Sequence, residues 1–341
     1  MIRETATVCE RCVLTTSVPG VSLDEEGVCN VCREYEANRS TYDAYFKTED
    51  DLAALFRRTH SPEAPYDVLL MYSGGKDSTY VLNRLVDMGQ RILAVTFDND
   101  YVPKGCFDNI RGVCEDAGVD SLILSLNRAT MDRVFARSLE QDSQVCTGCF
   151  RALTARGTEV AIEKGIPIVM TGLSRGQIFD TKVHQLLAAG KTDIDEIDRW
   201  LRAFRRRYHE QKDEIAELIN DRAAADLAAF ERVHFIDFFR YCKVTKEDIV
   251  ALIKERNPAW RKPENVGGCS SNCMINDVGI KVHQETKGYH NYAVPAAWDV
   301  RFGHETREEV LEELETDLDE RRIHGILTQL KINYHVKDGA V

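Results

Sequence analysis

The chain has 341 residues, 43% of them hydrophobic, eleven cysteines and a net charge of −12. That length predicts two domains or one domain with appendages, with enough apolar residues for a full core. The acidic balance weighs against broad nucleic-acid binding, which depends on neutralising phosphates with Lys and Arg, and no run approaches the apolar length of a membrane span. The start, Met1-Ile2-Arg3-Glu4-Thr5, carries no apolar leader, so a cytoplasmic location is expected. In that compartment the cysteines should be thiols or metal ligands.

Residues 1–45 read as a compact cysteine module, and 46–60 as a helix leading into the core. From residue 66 the chain alternates. Strands are predicted over 66–72, 91–97, 121–126, 167–172 and 233–239. Helices are predicted over 79–86, 109–117, 131–139, 150–164 and 246–255. Alternating strands and helices predict an α/β fold with a parallel sheet covered on both faces. Ligands then belong at the carboxyl ends of the strands. A polar, helix-rich insertion spans 191–231, with Ile194, Ile197, Leu201 and Phe204 at three- and four-residue spacing. It reads equally as a lid, a homodimer contact or a surface helical pair. Its Arg202, Arg205, Arg206 and Arg207 read as a solvated helix face. The predicted units are therefore 1–45, an α/β unit at 46–255, and a C-terminal extension at 256–341 that completes its site. The extension is expected to contain an acidic helix over 307–322 and a short strand over 330–334.

The hexapeptide Ser73-Gly74-Gly75-Lys76-Asp77-Ser78 lies between the first strand and its helix. Adjacent glycines let backbone N–H groups turn inward. The new helix adds unpaired N–H groups and its positive dipole end. Lys76 adds a cation, and together these make a pocket for a phosphate or pyrophosphate. The pattern is not the Walker loop, because Asp77 separates the Lys from the Ser. It resembles the PP-loop of the ATP pyrophosphatases, the adenine nucleotide alpha hydrolase-like proteins, whose sheet is HUP-like. The resemblance implies cleavage of ATP between the α- and β-phosphates, adenylation of a substrate carbonyl or carboxyl oxygen, and displacement of AMP by sulfur or ammonia. It further implies Mg2+, with Ser73, Gly74, Gly75, Lys76, Asp77 and Ser78 on the phosphates. Phe97, Asp98 and Gly172 are the other expected ATP contacts, and Lys76, Asp77 and Arg175 the catalytic residues. Gly172, Arg175 and Thr181 fit the stretch that resembles Gly-His-His-Arg-Asp-Asp in the tRNA thiolases of this family. Gly176 and Gln177 stand where that stretch has paired aspartates, which suggests a substrate unlike the usual tRNA base.

Cys9-x-x-Cys12 and Cys29-x-x-Cys32, sixteen residues apart, have the spacing of a four-cysteine zinc ribbon. With four protein ligands such a site is closed and structural. This segment resembles the start of the N-acetyl sugar amidotransferases, which also carry a PP-loop after such a ribbon. Cys146-Thr147-Gly148-Cys149, placed ahead of a helix with a distant third cysteine, is similar to the [4Fe–4S] tRNA thiolases. By that resemblance Cys146, Cys149 and Cys269 would hold a cluster, with Cys273 and then Cys242 as the next choices for third ligand. A second zinc or plain thiols are the other readings of this set. Cys106 and Cys114 read as core packing. Three functions remain open: sulfur transfer after adenylation, amidation of an N-acetyl sugar or other small molecule, and nucleotide binding without catalysis. A small-molecule acceptor is expected over tRNA, with a protein donor of sulfur or ammonia as a further partner.

Overall fold

The computed structural model describes residues 6–264, 266, 272–315 and 317–332. Helices α1 (Asn30–Asp43) and α2 (Glu49–Thr59) precede β1 (Val68–Met71). The alternating part continues through α3 (Lys76–Asp87), β2 (Ile92–Asp98), α4 (Lys104–Ala117), β3 (Asp120–Ser125), α5 (Arg128–Asp142), α6 (Cys146–Lys164) and β4 (Ile168–Thr171). Next come α7 (Arg175–Ile178), a π-helical turn at Phe179–Val183 and α8 (His184–Ala188). The insertion is α9 (Ile194–Glu210), α10 (Glu214–Ile219) and α11 (Leu227–Glu231), followed by β5 (His234–Asp237) and α12 (Lys246–Arg256). The C-terminal part holds α13 (Asn276–Lys287), α14 (Ala293–Phe302), α15 (Arg307–Leu314) and α16 (Glu320–Gln329).

All five strands are parallel, in the order β3-β2-β1-β4-β5. Val68 aligns with Ile92 on one side and with Ile168 on the other. Every residue of β1 and β4 is buried, as expected of strands covered on both faces. Val68, Leu70 and Tyr72 join one core with α3, α12 and the aromatic side chains of α1 and α14. Leu69, Met71 and Val169 join the opposite core against α6. The sheet order reverses between β1 and β4, where a crevice opens at the carboxyl ends.

Two boundaries in the C-terminal part differ from the sequence expectation. The acidic stretch 307–322 is two helices, because Asp319 caps α16 by accepting from the Arg322 N–H at 3.0 Å. Leu330–Ile332 follow α16 as a turn rather than opening a strand, and residues 333 and 334 lie outside the described residues. The insertion is helical as expected, but its spacing misleads at one end. Ile197 is fully buried while Phe204 is 58% exposed and stacks on Tyr208. Its far end is tied to α6 by Arg151, which pairs with Asp213 and donates to the Tyr208 and Gln211 carbonyls at 2.9 and 2.8 Å. Asp221, beside Arg151, also takes His209 Nδ1 at 3.0 Å.

Helix α14 packs across α7 at Gly176. A Cβ there would lie 2.1 Å from the Pro295 carbonyl oxygen and 2.7 Å from Asp299. Among the described residues no helix is long and apolar enough to cross a membrane. Because the obstacle at Gly176 is backbone, Gly176→Ala should destabilise the protein by about 3 kcal/mol or more, the upper range for overpacking. Urea unfolding would check this, and a loss within experimental error would show that α14 can shift freely.

Candidate functional site

The 73–78 loop leaves β1 at the carboxyl edge and enters α3. Gly74 has φ +74°, and a Cβ there would meet Ile110 Cγ1 at 2.8 Å and the Cys106 carbonyl at 3.0 Å. Both the left-handed conformation and the close approach therefore require glycine. The loop is internally braced. Ser73 and Ser78 hydroxyls lie 3.1 Å apart, Ser78 Oγ donates to the Gly75 carbonyl at 3.2 Å, and Gly75 N–H donates to Ser73 Oγ at 3.4 Å. Gly75 caps α3 without a side-chain bond, so the helix N-terminus faces the crevice with no side chain closing it.

Beside the loop opens a cavity of about 670 Å³. Lys76 and Asp77 line it on one side and α14, α15 and α12 on the others. Lys76 Nζ lies 3.0 Å from Asp77 and 3.7 Å from Glu305. Burial works to lower the Lys76 pKa, but the Asp77 and Glu305 carboxylates outweigh it and hold the ammonium charged. Lys246, 3.4 Å from Glu305, Lys254, Arg261 and Lys262 add further cations to the wall. The 258–262 loop is fixed over the glycine turn. Trp260 Nε1 donates to the Gly74 carbonyl at 3.0 Å, and Asn109 bonds the Arg261 backbone at 2.7 and 3.2 Å.

The expected site residues fall in three places. Gly172 packs on the start of α3, where its missing Cβ would lie 3.3 Å from the Ser78 backbone. Asp98, at the end of β2, accepts from the Asp100 N–H at 2.9 Å and closes a turn, while Phe97 is buried in the core beneath α5. The backbone at Val95 is engaged, since its carbonyl accepts the Tyr72 N–H at 2.8 Å. Arg175 lies outside the cavity lining. Its guanidinium stacks 4.3 Å over Phe46 and donates to the Phe239 carbonyl at 3.0 Å, and burial lowers its pKa. Gly176 and Gln177, the departures from paired acidic residues, have structural work. Gly176 admits α14, and Gln177 completes a capping box with Ser174.

Four buried thiols, Cys9, Cys12, Cys29 and Cys32, have sulfurs all within 4.8 Å of one another. Backbone N–H groups of Arg11, Leu14 and Cys29 point at these sulfurs at 3.2–3.5 Å. Such a closed all-thiol set can bind a metal such as zinc. Arg301 of α14 donates to Cys12 Sγ at 3.2 Å and lies 3.6 Å from Cys29 Sγ, a cation set against what would be an anionic thiolate site. Arg307 donates to the Cys9 and Cys12 carbonyls, both at 3.1 Å.

The second cysteine set lies at the start of α6. Cys146 and Cys149 are in the first turn of the helix rather than ahead of it; that turn is held to α5, where the Gly148 N–H donates to Ser138 Oγ at 3.0 Å. Asn99 Nδ2 reaches Cys149 Sγ at 3.4 Å and Cys273 Sγ at 3.5 Å. Cys146 Sγ lies 3.9 Å from Asn276 Oδ1 and 4.0 Å from the hydroxyl of Tyr292, which also lines the cavity. Burial raises the pKa of the Cys149 and Cys273 thiols. Cys269, the first choice for third member, lies outside the described residues. Cys242 is elsewhere, in the core 3.7 Å from the Tyr80 hydroxyl, and Cys106 and Cys114 are also buried. No disulfide occurs among the described residues.

Sequence reasoning missed Asn99, Trp260, Tyr292, Asp299 and Glu305, which come from loops and helices with no recognisable spacing. Asp299 is the most telling. It accepts from Ser174 Oγ at 2.6 Å and the Gly176 N–H at 2.7 Å while lining the cavity, and burial pushes its carboxyl up to about 6.

No protein-family model matches the chain. It is 22% identical over 313 residues to an uncharacterized protein of Methanocaldococcus jannaschii, MJ1599, covering 90% of this chain and 92% of that protein. It is also similar to the crystal structure of a predicted subunit of a tRNA methyltransferase from Methanocaldococcus jannaschii. There the TM-score is 0.32 and the identity 12%, over 55% of this chain and 75% of that one.

The raised Asp299 pKa has a definite sign. Its contribution to stability is full below the ordinary carboxylate value of 3.8 and is lost as pH rises through about 6. Relative to Asp299→Asn, the wild type should therefore lose up to about 3 kcal/mol across that interval. Urea unfolding of both proteins between pH 4 and 7 reads the difference, and a pH-independent gap would contradict it.

Proposed function

We propose that the protein is an ATP pyrophosphatase of the PP-loop type that adenylates a carbonyl or carboxyl oxygen and then transfers sulfur to the activated carbon. The observation that carries this reading is the braced 73–78 loop, which opens at the sheet's switch point into a cation-walled cavity. The loop and the N-terminus of α3 hold the ATP tail, and Lys76 offsets charge developing on the leaving pyrophosphate. Mg2+ carried with ATP supplies further neutralisation. The acceptor oxygen attacks the α-phosphorus, the α–β bridge breaks, and pyrophosphate leaves. Sulfur then attacks the activated carbon and expels AMP. Asp77 keeps Lys76 in place, and Ser73 and Ser78 brace the loop.

Asn99 reaches both Cys149 and Cys273, and Cys146, in the same helical turn as Cys149, lies against Asn276; this grouping supports sulfur transfer over amidation. These three residues, with Cys269 as the alternative third ligand, would hold a [4Fe–4S] cluster, which supplies an open iron site for the sulfur to be transferred. Ligands bind as thiolates, so assembly of the cluster would release protons. The docked four-cysteine module favours the second reading, an amidotransferase acting on an N-acetyl sugar or other small molecule. In either case the acceptor is a small molecule rather than tRNA, in keeping with the net charge of −12.

Lys76→Ala and Gly75→Val should abolish AMP and pyrophosphate release while leaving the fold intact. Gly75 has φ −76° and ψ 169°, a backbone any residue adopts, so the valine crowds the phosphate cradle without straining the turn. Normal pyrophosphate release from both variants would overturn the reading, and ADP and phosphate as products would mean different cleavage chemistry.

Metal analysis separates the two transfer chemistries. Protein purified anaerobically should contain one zinc, lost with Cys29→Ser together with the stability of the N-terminal module. It should also hold about four irons and absorb near about 400 nm, with the colour bleached by Cys146→Ala or Cys149→Ala. Colourless protein after reconstitution, or a second zinc in that place, would favour amidation.

A further inference from the structure

The carboxyl ends of β4 and β5 carry a charged group that the nucleotide cavity does not use. Asp237, the last residue of β5, accepts from Thr171 Oγ1 and from Lys182 Nζ, both at 2.6 Å. Arg240 donates to both oxygens of Asp198 on α9, at 2.7 and 3.2 Å, and Lys47 reaches the same carboxylate at 3.3 Å. Arg205 turns inward from α9 and lays its guanidinium 4.1 Å over Phe235. Among the described residues it donates no hydrogen bond, although it lies within electrostatic reach of Asp237. Four cations thus share two carboxylates.

The setting is a recess rather than open surface. The Lys182 side chain is only 17% exposed and Arg205 is half-buried, and burial lowers the pKa of both. Lys182 is matched by Asp237, whereas the Arg205 guanidinium has no hydrogen-bonded carboxylate among the described residues. A guanidinium whose face is packed and whose N–H fork is unused is shaped for a carboxylate or phosphate.

Location ties the anion to the acceptor. Thr171 precedes Gly172, which packs against Ser78, so the recess adjoins the nucleotide loop across the switch point. Strand side chains alternate, and Thr171 therefore shares the face of Val169, which packs against α6. Helix α6 leads into β4 through Gly165, so its N-terminus, with Cys146 and Cys149, stands at the same end of the same face.

We propose that Lys182 and Arg205, with Asp237 orienting Lys182, form a subsite for an anionic group of the acceptor, a carboxylate or a phosphate monoester. Its assignment to the acceptor rests on the adenylation reading above, whereas the anion site itself does not. An acceptor anchored there would lie on the side of the sheet from which the cysteines approach.

The test is calorimetric titration of the full-length protein with inorganic phosphate and with acetate at constant ionic strength. All anion titrations are made in the Lys76→Ala background, which weakens phosphate binding at the glycine loop, and ATP turnover by the wild type is followed separately. Phosphate or acetate should still bind this background. Adding Arg205→Gln should weaken binding at least about tenfold, the loss of one charge-assisted partner. Arg205→Lys, which keeps the charge but not the fork, should give an intermediate loss. Preference for phosphate would identify a phosphorylated acceptor, and preference for acetate a carboxylate one. No anion binding in the Lys76→Ala background, or equal binding with glutamine and arginine at position 205, would overturn the subsite and leave the nucleotide reading standing. No AMP or pyrophosphate release from ATP by the wild type, with phosphate binding lost in Arg205→Gln, would support the anion site while overturning the nucleotide reading.

Discussion

The crossing of α14 over α7 at Gly176 is the contact on which the rest of the site depends. With no Cβ in the way, the Pro295 backbone comes down onto α7 and the Asp299 carboxylate takes both the Gly176 N–H and the Ser174 hydroxyl. That places one side of α14 against the cavity. The other side meets the cysteine module through Arg301, which reaches Cys12 and Cys29, and through Ala297 packed among Val13, Leu14 and Val28. One helix thus joins the four-cysteine group to the cavity wall, and a shift at either surface is felt at the other because close-packed interiors transmit strain.

A second theme is the management of buried charge. The Lys76 ammonium is kept charged in a buried place by Asp77 and Glu305, and Glu305 is shared with Lys246. Arg301 sits between the aromatic face of Trp298 and the cysteine sulfurs. Arg175 is spent on Phe46 and a carbonyl. Each of these cations has an assigned counterpart. Arg205, whose N–H groups find no acceptor among the described residues, is therefore conspicuous by comparison.

Much of the fold was legible because it follows from local rules. The apolar runs of β1 and β4 are buried on both faces, and their alternation with helices is enough to indicate a covered parallel sheet. The glycine turn was legible because its chemistry is contiguous: Gly74 needs a positive φ, and the residues that brace the loop lie within it. The four-cysteine group was legible because two Cys-x-x-Cys turns are each local and tetrahedral ligation needs only that they meet. The boundaries at 314–320 and after 329 were misread because one capping aspartate and one turn outweighed an acidic, helix-favouring composition.

The parallel sheet, the position of the glycine turn at its carboxyl edge, and the four cysteines that belong together could all be read along the chain, since each arises from neighbours in it. What faces the turn is set by the packing of distant elements. That packing brings Trp260, Asp299 and Glu305 to the cavity from far along the chain, joins Cys273 to Cys149 through Asn99, moves Arg175 out of the cavity, and turns Arg205 inward. The reason is physical. Spacing reports which residues share a face of one element, whereas the partner of that face is set by how helices pack across the sheet. At Gly176 that packing turned on the absence of a single methyl group.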